Sequence, residues 1–248
     1  PVTEVSDFEK YESMLITFAQ NLVISEYFNF DRYGEIVLTT DRFQTFTAKN
    51  EPDKTAYDQS VIDFSLNSIL LDDGVYYENP DPAIHPNWYW FTLDNLFRGG
   101  DLLTNVTGIM DYGFSKYRIQ LTQGANYTNT NPRPADPEDV GGDIKVASFN
   151  VLNYFKTIDE GAWICGPSGD MECRGADTEE EFARQKAKII SALAKMDADV
   201  VGLMEIENHI SNAAVIDLVE GLNAVMGEGT YDYIDTEPDY IGTDAIKV

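Results

Sequence analysis

The spacing of apolar residues differs between the two halves of the chain. Up to residue 121, short β-branched and aromatic segments are separated by Asn, Asp and Gly, which is typical of strands joined by turns. We expect about five strands in this part, closed into a small β-barrel. The segments are MLITF, NLVISEYF, GEIVLTT, NSILLDD and DLLTNVTGIM, and MDYGFSKYRIQL predicts a hairpin that turns near Gly113.

The pattern after residue 143 alternates between strands and helices. IKVASFNVL and DVVGLME are apolar runs of strand length, and YDYI and DAIKV predict two further strands. TEEEFARQKAKIISALAKM predicts a helix with Thr178 as its N-cap and Glu181 completing a capping box. AAVIDLVEGLNAVMG predicts a second helix. This order of elements indicates a layered α/β domain.

Each predicted helix has an apolar face that should pack against the sheet. The residues expected on these faces are Phe182, Ala183, Ala187, Ile190, Leu193 and Ala194 in the first helix, and Val215, Ile216, Val219 and Leu222 in the second.

The two patterns meet in a segment of different composition. Residues 122–143, TQGANYTNTNPRPADPEDVGGD, are rich in Pro, Asn and Gly and contain almost no large apolar side chains. Such a segment predicts an interdomain linker. The expected organisation is therefore a β-rich domain at 1–121, a linker at 122–143 and an α/β domain at 144–248.

The charge balance restricts the ligands that the chain can attract. The 248 residues include 43 acidic and 17 basic side chains, which gives a formal net charge of -26. Such a chain repels nucleic acid at long range, so a polyanionic substrate needs divalent cations or a local basic patch. Strong acidity also fits a secreted protein or one that works in high salt. No apolar run approaches the length of a transmembrane helix.

The two cysteines lie close together in the segment CGPSGDMEC. Seven residues with two glycines and a proline separate Cys165 from Cys173, a spacing that permits a disulfide loop. Two cysteines cannot supply a four-ligand zinc site. We predict a disulfide, with a pair of reduced thiols as the alternative.

Polar side chains follow the apolar runs of two predicted strands. Asn150 ends the first of these runs in the α/β domain, and Glu205 ends the second. Ligands of open α/β domains gather at the carboxyl ends of strands. A carboxylate and an amide at such a place suit a hard cation such as Mg²⁺ or Ca²⁺. Polar residues also end many strands that bind nothing, so the spacing alone leaves both interpretations open.

Four aromatic residues near the start of the chain allow two interpretations. Tyr27, Phe28, Phe30 and Tyr33 are candidates for a surface on which nucleobases stack. Aromatic side chains also dominate protein cores, and filling the core is the alternative.

The motifs of the second half resemble the endonuclease/exonuclease/phosphatase superfamily, whose fold is DNase I-like. The resemblance rests on KVASFNVLNYF, a following helix and DADVVGLMEIEN. It is closer to secreted bacterial nucleases of the ExeM type, in which NPRP, CRGADT and EFARQKAKI occur in the same order. The first half resembles the OB-fold-like domain of these nucleases through RYGEIVLT, RGGDLLTNVTGIMDYGF and YRIQLT. The likeness spans roughly residues 10–248.

The resemblance implies roles for individual residues. Asn150 matches an asparagine beside the metal and the scissile phosphate, and Glu205 matches the metal-binding glutamate. Asn153 and Asn208 lie in the same motifs and are expected to support the site or contact substrate. Asp244 resembles a position near the substrate cleft.

The implied reaction is metal-assisted hydrolysis of phosphodiester bonds in DNA or RNA. A divalent cation, Mg²⁺ first and Ca²⁺ or Mn²⁺ as alternatives, would polarise the phosphate and stabilise the leaving oxygen. The family's later Asp-x-Asn and Ser-Asp-His motifs are absent, and neither His85 nor His209 stands where the catalytic histidine is expected. We therefore expect the chain to be the front part of a longer nuclease, inactive alone.

The sequence is compatible with three functions. The first is an extracellular or periplasmic nuclease, and the second is a phosphoesterase of the same superfamily that acts on lipid or inositol phosphates. The third is a noncatalytic OB-type module that binds nucleic acid. The OB-like first domain favours the nuclease, because such domains bind single strands. We expect no membrane span and infer no protein partner.

Overall fold

The computed structural model describes residues 2–235 and 242–248. The chain divides into two compact units, Pro1–Arg133 and Pro134–Val248. The fold is mixed α/β, as expected: the first unit is rich in β-structure, and the second alternates strands with helices.

The first unit contains one curled sheet of eight strands that forms a half-barrel. The order across the sheet is β1-β6-β7-β4-β3-β2-β5-β8, in which β4 and β7 run parallel and the other neighbours antiparallel. The strands are β1 Leu15–Thr17, β2 Leu22–Glu26, β3 Ile36–Thr39, β4 Ser68–Asp72, β5 Leu102–Thr104, β6 Thr107–Gly113, β7 Lys116–Leu121 and β8 Asn126–Thr128. The helices are α1 Phe30–Tyr33 and α2 Lys54–Leu66, with two 3₁₀ helices at Val5–Tyr11 and Phe46–Ala48.

The closed barrel of about five strands that the sequence predicted is not what forms. Each predicted segment contains a strand, but DLLTNVTGIM is divided into β5 and β6 because Asn105 has φ 57° and ends the extended run. The strands β1 and β8 are the two edges of the sheet, so it is curled rather than closed. The predicted hairpin is confirmed: Phe114 and Ser115, with φ 52° and 61°, form the two-residue turn between β6 and β7.

The segment 122–143, predicted as a linker, begins inside the first unit. Strand β8 pairs with β5, and its Tyr127 hydroxyl donates to Asp101 at 2.7 Å. The Asp101 carboxylate also accepts the backbone N–H groups of Thr130 and Asn131 at 3.0 and 2.9 Å. Burial alone would raise the pKa of Asp101, but these hydrogen bonds outweigh it and lower the pKa. The composition of the segment did not indicate this strand, because hydrogen bonds to Asp101 rather than apolar side chains hold it in place.

The second unit has a three-stranded sheet with helices packed on it. The sheet order is β13-β12-β9, with β12 parallel to β9 and antiparallel to β13. The elements are β9 Val146–Tyr154, β10 Trp163–Cys165, β11 Met171–Glu172, α3 Glu179–Met196, β12 Val200–Glu207, α4 Ala213–Met226 and β13 Ile246–Lys247. Residues 231–234, predicted as a strand, are irregular, since the Tyr231 N–H bonds to the Asn223 side chain at 2.8 Å instead of a neighbouring strand.

Both predicted helices form, but their buried faces are narrower than the sequence indicated. The predicted N-cap of α3 is confirmed, because the Thr178 hydroxyl accepts the Glu181 N–H at 3.2 Å. Ala183 and Ala187 are exposed. The residues that are buried are Phe182, Ile189 and Leu193 in α3, and Ala214, Asp217, Leu218 and Leu222 in α4; Ala194 and Ile190, and Val215, Ile216 and Val219, are half-buried.

The two faces of the second sheet have different surroundings. Phe149, Val151 and Leu203 pack into the core formed with the helices. The side chains of Val146, Leu152 and Val200 are 73%, 74% and 55% exposed. The polar residues of interest lie at the end of this sheet, where its two parallel strands stop.

The predicted disulfide between Cys165 and Cys173 is confirmed. Both half-cystines are buried and join the two short strands β10 and β11, next to Phe155 and Ala245. Within the described ranges, no helix is both long enough and apolar enough to cross a membrane.

Candidate functional site

The structure brings Asn150 and Glu205 into direct contact. Asn150 pairs in register with Met204 of the parallel neighbouring strand, so the two predicted residues lie at the same end of the sheet. The Asn150 side-chain amide donates to Glu205 Oε1 at 2.7 Å. Asn150 is exposed and Glu205 is half-buried, so solvent reaches this pair.

An irregularity in both strands produces this geometry. The parallel pairing jumps from Asn150–Met204 to Tyr154–Ile206, so Glu205 alone faces three residues of β9. Glu205 has φ 63°, and Leu152 and Asn153 have φ 52° and 50°. Non-glycine residues in the left-handed region cost about 1–3 kcal/mol each when strained. Three such residues therefore lie around the hydrogen bond that joins Asn150 to Glu205.

The Asn150 side chain connects the two irregular segments. Its Oδ1 accepts the Leu152 N–H at 2.8 Å, while its amide group donates to Glu205. The amide oxygen therefore holds β9 in its left-handed turn, and the amide N–H groups orient the carboxylate. This arrangement fixes one oxygen of Glu205 at the end of the sheet.

The donor set fits a hydrated cation better than a fully protein-ligated one. In the part of the chain that is described, no three His, Cys, Asp or Glu side chains come together as a metal-binding group. Mg²⁺ retains several waters and is commonly bound through one or two carboxylates. Glu205 offers one such carboxylate, with Asn150 beside it as a donor to a phosphate or water oxygen.

The other predicted site residues have structural partners. The Asn208 N–H donates to the Ala245 carbonyl, and its side-chain amide donates to the Asp244 carbonyl, both at 2.8 Å. Asn208 thus ties the end of β12 to the segment that leads into β13. The exposed Asp244 carboxylate lies 3.3 Å from the Arg174 guanidinium. Asn153 is half-buried within the left-handed turn of β9.

Glu207 is a buried carboxylate of the same strand that sequence reasoning missed. It accepts the Lys156 and Thr157 N–H groups at 2.8 and 3.2 Å and the Thr157 hydroxyl at 2.6 Å. Its Oε1 lies 3.8 Å from Cys165 Sγ. Glu207 therefore holds the chain that leaves β9 against the disulfide. The sequence could have indicated this residue, because it is a second acidic side chain two positions after Glu205 in an apolar strand.

A second charged cluster anchors β9 to the helices. Asp217 of α4 accepts the Tyr154 hydroxyl at 2.5 Å and pairs with Lys186 and Lys156 at 2.8 and 3.1 Å. Burial alone would raise the pKa of Asp217, but these three donors outweigh it and lower the pKa. The cluster fixes Tyr154, the first residue after the irregular segment of β9.

The four aromatic residues proposed for base stacking divide between two environments. Phe28 is 88% exposed, and Tyr27 and Tyr33 are also exposed. Phe30 is buried in the core, with ring centroids 5.0 and 4.8 Å from Phe91 and Phe97. Phe30 therefore fills the core, and the other three remain available to a ligand.

Comparisons with known proteins identify a family for the first unit. Neither the search of curated proteins nor that of solved structures returned a significant match. A family model for DUF8508, a domain of unknown function, matches residues 4–132. These residues cover just over half of the chain and nearly all of the eight-stranded unit. The chain therefore belongs to the DUF8508 family.

Proposed function

We propose that the second unit is the metal- and phosphate-binding part of a nuclease that hydrolyses phosphodiester bonds of DNA or RNA. The observation that carries this proposal is the contact between Asn150 and Glu205 at the ends of two parallel strands. Backbone strain of this kind is concentrated at functional sites. Here it aims a carboxylate and an amide at the same point.

The chemistry of this pair fits phosphodiester hydrolysis. A divalent cation on Glu205 would polarise a phosphate oxygen and stabilise charge on the leaving oxygen. Asn150, already a donor, would orient a phosphate or water oxygen beside the cation. Because the chain has a formal net charge of -26, this cation would also reduce the repulsion of an approaching phosphodiester.

The finer fold assignments are part of the same proposal. The order β9, α3, β12, α4, β13, with helices on one sheet face, fits the start of a DNase I-like layered domain. The curled sheet of the first unit fits an OB-like role, with Tyr27, Phe28 and Tyr33 as candidates for base stacking. The disulfide and the acidity support an extracellular location.

Binding is a more direct test of Asn150 and Glu205 than turnover. Hydrolysis also needs a group that transfers a proton. His85 is fully buried in the first unit, and His209 Nδ1 lies 2.7 Å from the Ser211 hydroxyl. The test should therefore isolate the metal and phosphate steps.

The experiment uses thymidylyl-thymidine, a probe with one phosphodiester. Its binding to the whole chain is followed by NMR with and without Mg²⁺, and Mn²⁺ broadening locates the cation. We expect binding only with the cation and broadening centred on residues 150–153 and 205. Glu205→Gln should abolish both, while Glu228→Gln, an exposed glutamate after α4, should leave both unchanged.

Other outcomes separate the alternatives. If the chain binds inositol phosphate together with a cation at Glu205 but does not bind thymidylyl-thymidine, the result would favour a phosphoesterase for small phosphate esters over a nuclease. Mn²⁺ broadening that is the same in Glu205→Gln as in the wild-type chain would contradict the metal site and, with it, the proposed function.

A further inference from the structure

A cleft of about 630 Å³ lies in the first unit. It opens between the end of β4, the β6–β7 turn and the loop that follows Asp72. Its volume is within the range of small-molecule sites, roughly 300–1,000 Å³. We call it the aromatic cleft because its rim carries Tyr76, Tyr77 and Phe114.

The base of the aromatic cleft contains a buried arginine. The Arg118 side chain is 5% exposed and pairs with Glu35 at 2.9 Å and Asp72 at 2.5 Å. The Nη2 of Arg118 donates to the Gly113 carbonyl at 2.9 Å. The Nε of Arg118 is buried and has no hydrogen-bond partner among the described residues. A buried donor without a partner costs about 1–3 kcal/mol. Because solvent does not reach this atom, a ligand in the cleft would meet the carboxylates paired with Arg118 and not Nε itself.

The rim presents aromatic rings to solvent. Tyr76 is 98% exposed and Phe114 93%, and both line the cleft. Phe114 stands in the tight β6–β7 turn, with the Arg118 guanidinium 5.3 Å from its ring. Tyr76 and Tyr77 contact each other edge to face, with centroids 5.8 Å apart. Exposed apolar rings around a cleft mark a binding surface.

The charges around the cleft select against ionic ligands. An anion would meet an excess of carboxylates, but Glu35 and Asp72 are already paired with Arg118, and Glu78 with Arg32, so little charge is left to bind a cation. A hydroxyl group both donates to carboxylates and accepts from Lys116 or from the amides that line the cleft. The charged residues that line the cleft are Glu35, Asp72, Glu78, Asp111, Lys116 and Arg118.

We propose that the aromatic cleft binds a neutral saccharide. Its hydroxyls would bond to the polar base, and the C–H face of a sugar ring would stack on Tyr76 or Phe114, whose ring faces carry partial negative charge. The amides of Asn29 and Gln120 line the same cleft and supply further donors and acceptors. This site does not depend on the metal site proposed above, because it lies in the other unit; of the residues proposed to stack on bases, Tyr33 also lines the cleft.

The test titrates the whole chain with glucose, N-acetylglucosamine and cellobiose, and measures binding by saturation-transfer NMR and calorimetry. At least one saccharide should bind, and Phe114→Ala and Tyr76→Ala should each weaken it about 3–10-fold. Both side chains are almost fully exposed, so neither change should disturb folding. Tyr57→Ala, which removes an exposed tyrosine from α2 outside the cleft, should leave the affinity unchanged.

Arg118→Lys tests the base of the cleft, because it retains the charge but removes the planar guanidinium that holds Glu35 and Asp72. If this variant folds, it should bind the saccharide more weakly than the wild-type chain. If it does not fold, the proposal is tested by Phe114→Ala and Tyr76→Ala alone. Agmatine or glucose 6-phosphate binding more tightly than every neutral sugar would overturn the proposal in favour of an ionic ligand. So would the absence of saccharide binding up to about 20 mM.

Discussion

Left-handed backbone occurs in both units, but in different places. In the first unit, residues such as Asn105, Phe114 and Ser115 adopt positive φ between strands, where a turn requires it. In the second unit, Leu152 and Glu205 adopt it inside strands. A turn explains the first group through the fold alone. Strain within a strand has no such explanation and points to a function for the residues it aims.

The units can also be compared by their buried charged residues. Removing the charge of Arg118 from the first unit should have the largest effect on stability of all the changes predicted here. Arg118→Met would leave Glu35 and Asp72 buried without their cation. Breaking a buried pair from one side typically costs about 3–5 kcal/mol. Urea denaturation should show this loss in the first unit, and the double change that also replaces Asp72 by Asn should recover part of it. An unchanged unfolding midpoint would mean that solvent screens the cluster.

Removing the disulfide should have an intermediate effect, confined to the second unit. Replacing both Cys165 and Cys173 by Ser releases a short loop, and we expect a loss of about 2–3 kcal/mol. Calorimetry with reductant should reproduce this change in the wild-type chain. A transition of the first unit that moves by the same amount would contradict the division of the chain into two units.

Relieving the backbone strain sharpens the comparison directly. Leu152→Gly and Phe114→Gly each place glycine at a positive φ on an exposed residue. Both should raise the free energy of unfolding by up to about 1 kcal/mol. Glycine keeps the N–H that the Asn150 side chain accepts but lets this turn leave the left-handed region, so only Leu152→Gly should also weaken Mn²⁺ binding. Equal Mn²⁺ affinity in the two variants would show that the strain in β9 does not serve the site.

The smallest predicted effect is on the pH dependence of stability. Burial lowers the pKa of His85 in the folded first unit, and its Nδ1 accepts the Asn87 N–H at 3.0 Å, which requires the neutral ring. The stability that this provides is present above about pH 6.5 and is lost as pH falls below it, because the unfolded state binds the proton more readily. His85→Gln should flatten the urea midpoint between pH 7.5 and 5.5. The pKa of Asp217 is also lowered, so its contribution is lost only as pH falls below the ordinary carboxyl range.

Sequence predicted the features that local chemistry determines. Thr178 as an N-cap, the β6–β7 hairpin and the Cys165–Cys173 bridge depend on residues within one short segment, and all three form. The parallel pairing that joins Asn150 to Glu205 followed from the strand–helix–strand order. The roles of both residues in catalysis stay predictions.

Features that depend on distant contacts were beyond the sequence. Arg118 and Glu35 are 83 residues apart, so neither suggested a buried pair. The irregularity at Glu205 changes which way its side chain points, and no local pattern of Met204, Glu205 and Ile206 encodes it. Strand β8 was missed because polar anchors, rather than apolar side chains, hold it in place.

Anomalous diffraction from crystals of the chain soaked in Mn²⁺ tests the central claim most directly. A cation bound by the Glu205 carboxylate should give a peak about 2.1 Å from one of its oxygens, with Asn150 beside the waters around it. The same soak of Glu205→Gln crystals should show no peak there. Mn²⁺ peaks elsewhere in the second unit, with none in contact with Glu205, would contradict the account.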